Sequence, residues 1–338
     1  MCIRDSLISD GWLDQYEEIN GRTHTRLEAL ADAVAATGLT EVTGGLLGDE
    51  SLYDDVRYGE WDVRLIDQKQ SGPLSALTVN EGFSDWPADF RDSFRGRAET
   101  DNPPLNAASV FGQLLQERGI SFGGAPGVGV APVNGVDVAS ISSPPMLDIV
   151  THINSYSSNL GAEMVLKRLG LDVAGIGSTA AGSRVVFDFL SEQGVPMNDV
   201  QIFDGSGLDE DNRLTCEALV TILASAGPDT PLGISLSIAG QRGSLATRFV
   251  DTPASGLVLA KTGTLRGVRA LSGYVESSVP TDADSFVSFA YMINDQNLIV
   301  EADILPLQVQ LVSELTTYPD GPSVAELSPF APSVRQSE

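Results

Sequence analysis

The 338 residues carry 46 acidic and 20 basic side chains and a formal net charge of -26, a polyanion that repels phosphate backbones and anionic lipid and so argues against nucleic acid and membrane-surface partners. Two histidines (His24 and His152) and two cysteines (Cys2 and Cys216) give no zinc spacing and no CxxC pair, so no metal, cofactor or thiol chemistry is expected. Hydrophobic residues make up 42% of the chain, enough for a sizeable core in two to three domains, and no run approaches ~20 uninterrupted apolar residues.

The opening, residues 1–6, has neither periodicity nor a cap and reads as a translated adapter scar. From 25 to 37 the spacing predicts a helix. Thr25 and Glu28 form a capping box, Leu27, Leu30, Ala31 and Val34 share a face, and Gly38 ends it. A strand is expected over 41–47, and the stretch 48–104 mixes short strand candidates, including 74–79, with Gly, Pro and Asp. Residues 105–118 predict an amphipathic helix ended by Gly119, followed by a Gly-rich segment, 123–129, and a strand over 136–141.

The pattern changes at Ser142-Ser143-Pro144-Pro145, a good helix start because proline fits a first turn whose N–H needs no partner. Met146, Ile149, Val150 and Ile153 mark one face of the helix that follows. Residues 155–159 interrupt it, and a second helix is expected over 160–169, stopped by Gly170. Further helices are expected over 180–193 and 215–225. Strands are expected over 257–262, 268–275 and 285–293, the first two antiparallel across a short turn, and a last helix over 303–315 with Ile304, Leu307, Leu311 and Leu315 on one side. Helices on an antiparallel sheet make an α+β half, preceded by a more irregular domain.

Chemistry concentrates at few places. Lys261-Thr262-Gly263-Thr264 sits where an apolar strand enters a turn, so its cation and hydroxyls could hold a carboxylate beside a glycine that admits close approach. The same residues also suit a strand end with a snorkelling lysine. Ser157-Ser158-Asn159, between two helices, suits helix capping. A role in a site would need a partner group such as Lys261. Gly175 to Ala180 resembles a dinucleotide fingerprint but follows no convincing strand. Asp204-Gly205-Ser206-Gly207 is not a nucleophile elbow, because Asp204 stands where G-x-S-x-G needs its first glycine, and a loop is expected. His152, among Ile149, Val150 and Ile153, reads as a partly buried helix residue, and His24 as a solvent-facing one. A Ser-His-Asp triad has no support.

Taken in order, Ser157-x-Asn159 with Leu160-x-Ala162-Glu163-Met164, then Asp204-Gly205-Ser206-Gly207-Leu208, then Lys261-Thr262-Gly263-Thr264-Leu265-Arg266-Gly267-Val268, resemble the D-alanyl-D-alanine carboxypeptidases of the low-molecular-mass penicillin-binding-protein type. That resemblance implies a serine β-lactamase-like fold. Residues 142–338 would be the C-terminal part of the catalytic domain and 7–141 an accessory insertion. It implies Ser157 as a proton shuttle toward the leaving amine, Asn159 as the residue orienting the substrate amide, and Lys261 as the cation beside them. The Thr262 and Thr264 hydroxyls would bind the substrate carboxylate, with Gly263 admitting the substrate between them, and the Thr264 backbone N–H would form half of the oxyanion hole. The implied substrate is the peptidoglycan stem peptide, cleaved through an acyl-serine with endopeptidase action left open. β-Lactams are the implied inhibitors, and the implied location is exported, on the cell-wall side. One departure bears on all of this. The family's S-x-x-K supplies the acylated serine and its lysine base, yet the only lysines are Lys69, Lys167 and Lys261, preceded three residues earlier by Ile66, Met164 and Val258. The expectation is an inactive N-terminal truncation. A natural cell-wall-binding relative without catalysis, or a β-lactamase or esterase of the same fold, are the alternatives.

Overall fold

The computed structural model describes residues 7–15, 21–85, 97–279, 286–295 and 304–321. The opening 1–6 with Cys2, and the ends at 285 and 303 of the last expected strand and helix, lie outside them. Grouped by contacts, the chain forms two compact units, one of Met1–Ile153 with Ser158–Arg213 and one of Asn154–Ser157 with Leu214–Glu338. Residues 142–153 and 158–213 therefore group with the irregular first part of the chain.

In chain order the first unit holds β1 (Leu7–Ile8), α1 (Asp10–Gln15), β2 (Thr25–Arg26), α2 (Leu27–Ala35), β3 (Glu41–Val42), β4 (Leu47–Gly48) and α3 (Val63–Asp67). Then follow β5 (Phe83–Asp85), β6 (Ala98–Glu99), α4 (Pro103–Glu117), β7 (Ser121–Phe122), β8 (Gly127–Val128), most of α5 (Met146–Tyr156), α6 (Asn159–Ala174) and α7 (Thr179–Glu192). Among the described residues this unit's strands pair as two-stranded ribbons: β1–β2, β3–β7 and β4–β8 parallel, β5–β6 antiparallel. Helices α2 and α4 supply the core between them, with Ala31, Val34, Leu115 and Ile120 in one cluster.

Several sequence expectations are corrected here. The capping box is absent: Thr25 is spent on β2, Arg26 is the N-cap but makes no side-chain capping bond, its guanidinium going to Asp10, and Glu28 instead accepts from the Asp10 N–H at 2.7 Å. The expected strand 41–47 is two separate strands, and 74–79 and 136–141 form none. Residues 74–79 are nonetheless mostly buried, so their apolar run reflects burial without a ladder. Gly170 does not stop α6. A Cβ there would lie 2.8 Å from the Gly182 nitrogen, so it is the contact point with α7, and the helix ends instead on left-handed Gly175. Ser178 caps α7 by accepting from the Ala181 N–H, which makes the dinucleotide-like segment the junction of two helices.

The second unit adds α8 (Cys216–Ala226), α9 (Pro231–Ser235), β9 (Ser237–Ile238), β10 (Val258–Leu265), β11 (Val268–Glu276), β12 (Phe286–Asn294) and α10 (Leu305–Glu314). Its sheet runs β12-β11-β10-β9, antiparallel throughout, and β9 is one strand more than the sequence predicts. Register explains why it is buried on both faces. Val258 and Ala260 share a face with Leu271 and Val275 and pack with Phe249, Leu245 and Val312 of α10; Tyr274, on the other face, packs with Leu223 of α8 and Leu236. Alternation along each strand therefore feeds two cores. The α10 face is rotated from expectation: Ile304, Gln308 and Val312 are buried, while Leu307 is exposed.

Candidate active site

Ser157 follows the last residue of α5 with a left-handed backbone, φ +59°. The turn is closed by the Ser158 N–H donating to the Ile153 carbonyl at 3.2 Å. A left-handed residue without glycine's freedom costs about 1 kcal/mol, and here it lifts a hydroxyl off the helix end. Ser158, not Ser157 or Asn159, is the N-cap of α6; its Oγ accepts from the Gly161 N–H. The expected interruption at 155–159 is thus only two residues wide.

Lys261 lies in β10, and its Nζ donates to Ser157 Oγ at 2.8 Å and to the Thr262 carbonyl at 2.9 Å. Burial pushes its ammonium down to about 8, since desolvation disfavours the charged form. Because Lys261 occupies an acceptor position on Ser157, the serine's own proton stays available to a third group. That is the arrangement a proton relay needs.

The neighbouring hydroxyls are held in a chain. Thr262 Oγ1 donates to Ser244 Oγ at 3.0 Å, Ser244 and Ser237 hydroxyls meet at 3.1 Å, and Ser237 Oγ donates to the Ser155 carbonyl at 3.0 Å. Ser155 Oγ in turn donates to the Ser235 carbonyl. Left-handed Gly243 makes this possible, since a Cβ there would meet the Ser155 carbonyl oxygen at 2.3 Å. The Thr262 proton is therefore engaged by Ser244 and must turn to meet a carboxylate. Thr264 differs: Arg269, its cross-strand partner, donates to Thr264 Oγ1, leaving the threonine proton free to be donated. Gly263 faces Ala270, whose methyl would stand 3.2 Å from an added Cβ. Sequence reasoning missed Ser237, Ser244 and Arg269, which carry no motif.

Asn159 belongs to the first unit. Its Nδ2 donates to the Gln70 carbonyl at 2.7 Å. On the same helix, buried Glu163 accepts from the Gly205 and Ser206 N–H groups at 2.9 and 2.8 Å, and burial next to the Asp204 carboxylate pushes it up to about 6. Asp204 is buried and accepts from Trp61 Nε1, the Gly207 and Asp209 N–H groups and Asn212 Nδ2, so 204–207 is a loop, as expected, tied down by two carboxylates. His152 is buried in α5 with its imidazolium pushed down to about 4 by desolvation, which suits a neutral helix residue. Among the described residues no group of His, Cys, Asp and Glu could hold a metal ion.

A sequence model of the D-Ala-D-Ala carboxypeptidase 3 (S13) family matches residues 87–313. A D-alanyl-D-alanine carboxypeptidase from Actinomadura sp. (strain R39) is 30% identical over 322 residues, covering 74% of this chain and 60% of its own. Penicillin-sensitive carboxypeptidase A from Dictyostelium discoideum is 27% identical, covering 64% and 43%. The chain thus spans only about half the length of the curated relatives it matches. Among solved structures, penicillin-binding protein 4 from Haemophilus influenzae superposes with a TM-score of 0.72 at 20% identity, covering 86% of this chain and 79% of that one, which shows the shared fold.

Proposed function

The chain belongs to the D-Ala-D-Ala carboxypeptidase 3 (S13) family, and from that membership we propose that it carries the proton-relay and carboxylate-binding part of a serine-type D-Ala-D-Ala carboxypeptidase. Its substrate would be the peptidoglycan stem peptide, its inhibitors β-lactams and its place the cell-wall side of the membrane; one relative is named penicillin-sensitive, and one solved structure of similar fold is complexed with a β-lactam. Residues 7–141 would be the family's accessory insertion. Endopeptidase action on cross-links stays within the proposal. The observation that carries it is the 2.8 Å bond between Lys261 and Ser157, groups 104 residues apart in sequence. Cleaving an amide beside a free carboxylate requires a cation for that carboxylate and a proton for the departing amine. Lys261 would supply the first and Ser157 the second. Thr262 and Thr264 would bind the carboxylate around Gly263, and Asn159 would orient the substrate amide. The acylated serine and its lysine would come from an S-x-x-K that this sequence does not contain, so the chain as given is expected to bind without turning over.

Nuclear magnetic resonance tests this directly. Titrating the chain with N-acetyl-D-Ala-D-Ala should shift signals of Lys261, Thr262 and Thr264, whereas the L,L isomer should not, and Lys261→Met should abolish the response. Equal responses to both isomers, or none, overturn the reading. A β-lactam should leave every serine unmodified by intact mass; a stable acyl adduct would overturn the assignment of nucleophile.

A further inference from the structure

Helix α3 ends on a turn closed by two main-chain bonds, Lys69 N–H to the Ile66 carbonyl at 2.8 Å and Gln70 N–H to the Leu65 carbonyl at 3.2 Å. This is the pairing of a Schellman cap, whose left-handed position is normally glycine. Here it is Lys69, at φ +57°. A strained residue of this kind persists where its surroundings over-determine it. The reason lies in its side chain: Lys69 Nζ donates to Glu99 of β6 at 2.5 Å, with both side chains largely buried. Glycine would relieve the backbone and lose the tether.

The turn aims the next carbonyl, that of Gln70, at Asn159 Nδ2, 2.7 Å away. A carbonyl only accepts, so it fixes which way round the asparagine amide lies: the NH₂ faces Gln70 and Oδ1 faces elsewhere. Whatever meets Oδ1 must then bring a donor. We propose that Lys69 is a positioning residue, tethered by Glu99, that orients the Asn159 amide through the Gln70 carbonyl, holding its Oδ1 and its second Nδ2 proton in fixed directions for a ligand. This rests on the carboxypeptidase reading only in naming that ligand a peptide amide. The orientation itself does not depend on it.

The test uses the full ¹⁵N-labelled chain, with the Asn159 side-chain signals assigned by their loss in Asn159→Asp. The wild type should show one strongly downfield, slowly exchanging Nδ2 proton. Lys69→Ala and Glu99→Gln should speed its exchange about tenfold, the effect of losing one hydrogen bond of ordinary strength, and Lys69→Arg should restore it. Lys69→Gly separates positioning from stability: its melting temperature should match or exceed the wild type while the Asn159 proton exchanges fast. Unchanged Asn159 signals in both Lys69→Gly and Lys69→Ala overturn the proposal. N-acetyl-D-Ala-D-Ala titration distinguishes the two readings. If Lys69→Ala perturbs Asn159 but the wild type ignores the peptide, the positioning stands and the carboxypeptidase reading falls. If the wild type binds the peptide but Asn159 exchange is unchanged in Lys69→Ala and Lys69→Gly, the positioning falls alone.

Discussion

The turn at Asp204 and the strand end at Lys261 are both polar, both partly or fully withdrawn from water, and both hold an ionisable group far from its ordinary protonation range. They differ in what capacity is left over. Asp204 takes four donors besides Ser206, among them two backbone N–H groups, and Glu163 Oε1 takes two more from the same loop, while Glu163 Oε2 is buried without a partner. At Lys261 the bonds leave the Ser157 and Thr264 protons unspent, and Ser157 is exposed. A polar cluster whose donors and acceptors are consumed inside the fold or shut away from solvent is architecture, while one with directed capacity left at the surface is fit for a ligand.

That contrast can be broken by mutation. Asp204→Ala should give the largest effect, a loss of about 3 kcal/mol or more in denaturant unfolding, because it strands several buried donors at once. A loss below ~1 kcal/mol would show the turn is not structural. Glu163 comes next and acts through pH. Its native pKa is about 6 against an ordinary 4.5, so the native state keeps a proton the unfolded state has given up between those values. Its stabilising contribution is therefore full below pH 4.5 and is lost as pH rises through 6, about 2 kcal/mol in all. Glu163→Gln should flatten that stretch of the stability–pH curve; an unchanged curve would place the titration elsewhere.

Smaller effects are expected in the second unit. Thr215→Ala removes the N-cap of α8, where Thr215 Oγ1 accepts from the Ala218 N–H at 3.0 Å, and should cost about 1 kcal/mol. Lys261→Met should be nearest to neutral for stability at pH 7, since it replaces a desolvated cation with an apolar chain of similar length, yet it should abolish the response to the D,D-dipeptide. Lys261 also has the opposite sign in pH. Its native ammonium loses its proton near 8 while the unfolded lysine keeps it toward 10.5, so stability should rise with pH across that window and Lys261→Met should remove the rise. Urea midpoints of the two proteins between pH 7 and 10 check this.

Legibility in the sequence divided along similar lines. The helices from α4 to α8 and the strands β10 to β12 were readable from local pattern and stop signals, because each is a long element written in one continuous stretch of sequence. Lys261 with Ser157 was readable through the ordered motifs, since a motif preserves residue types at fixed local spacing. The ribbons of the first unit were not readable. Two-residue strands such as Thr25–Arg26 pair with distant segments and leave no period, so Thr25 looked like half of a capping box. Gly170 looked like a stop because glycine's role as a contact point between α6 and α7 depends on a neighbour outside the window.

The α+β class, the ordered motif residues and the lack of an S-x-x-K could be read before any fold was known, because these depend on residue type and on spacing along one element. Which proton each hydroxyl keeps, that Ser244 holds Thr262, and that a left-handed lysine aims a carbonyl at Asn159 came from the folded chain alone. Hydrogen bonds are short-ranged and directional, so their partners are fixed by where remote segments come to rest, which no local pattern records.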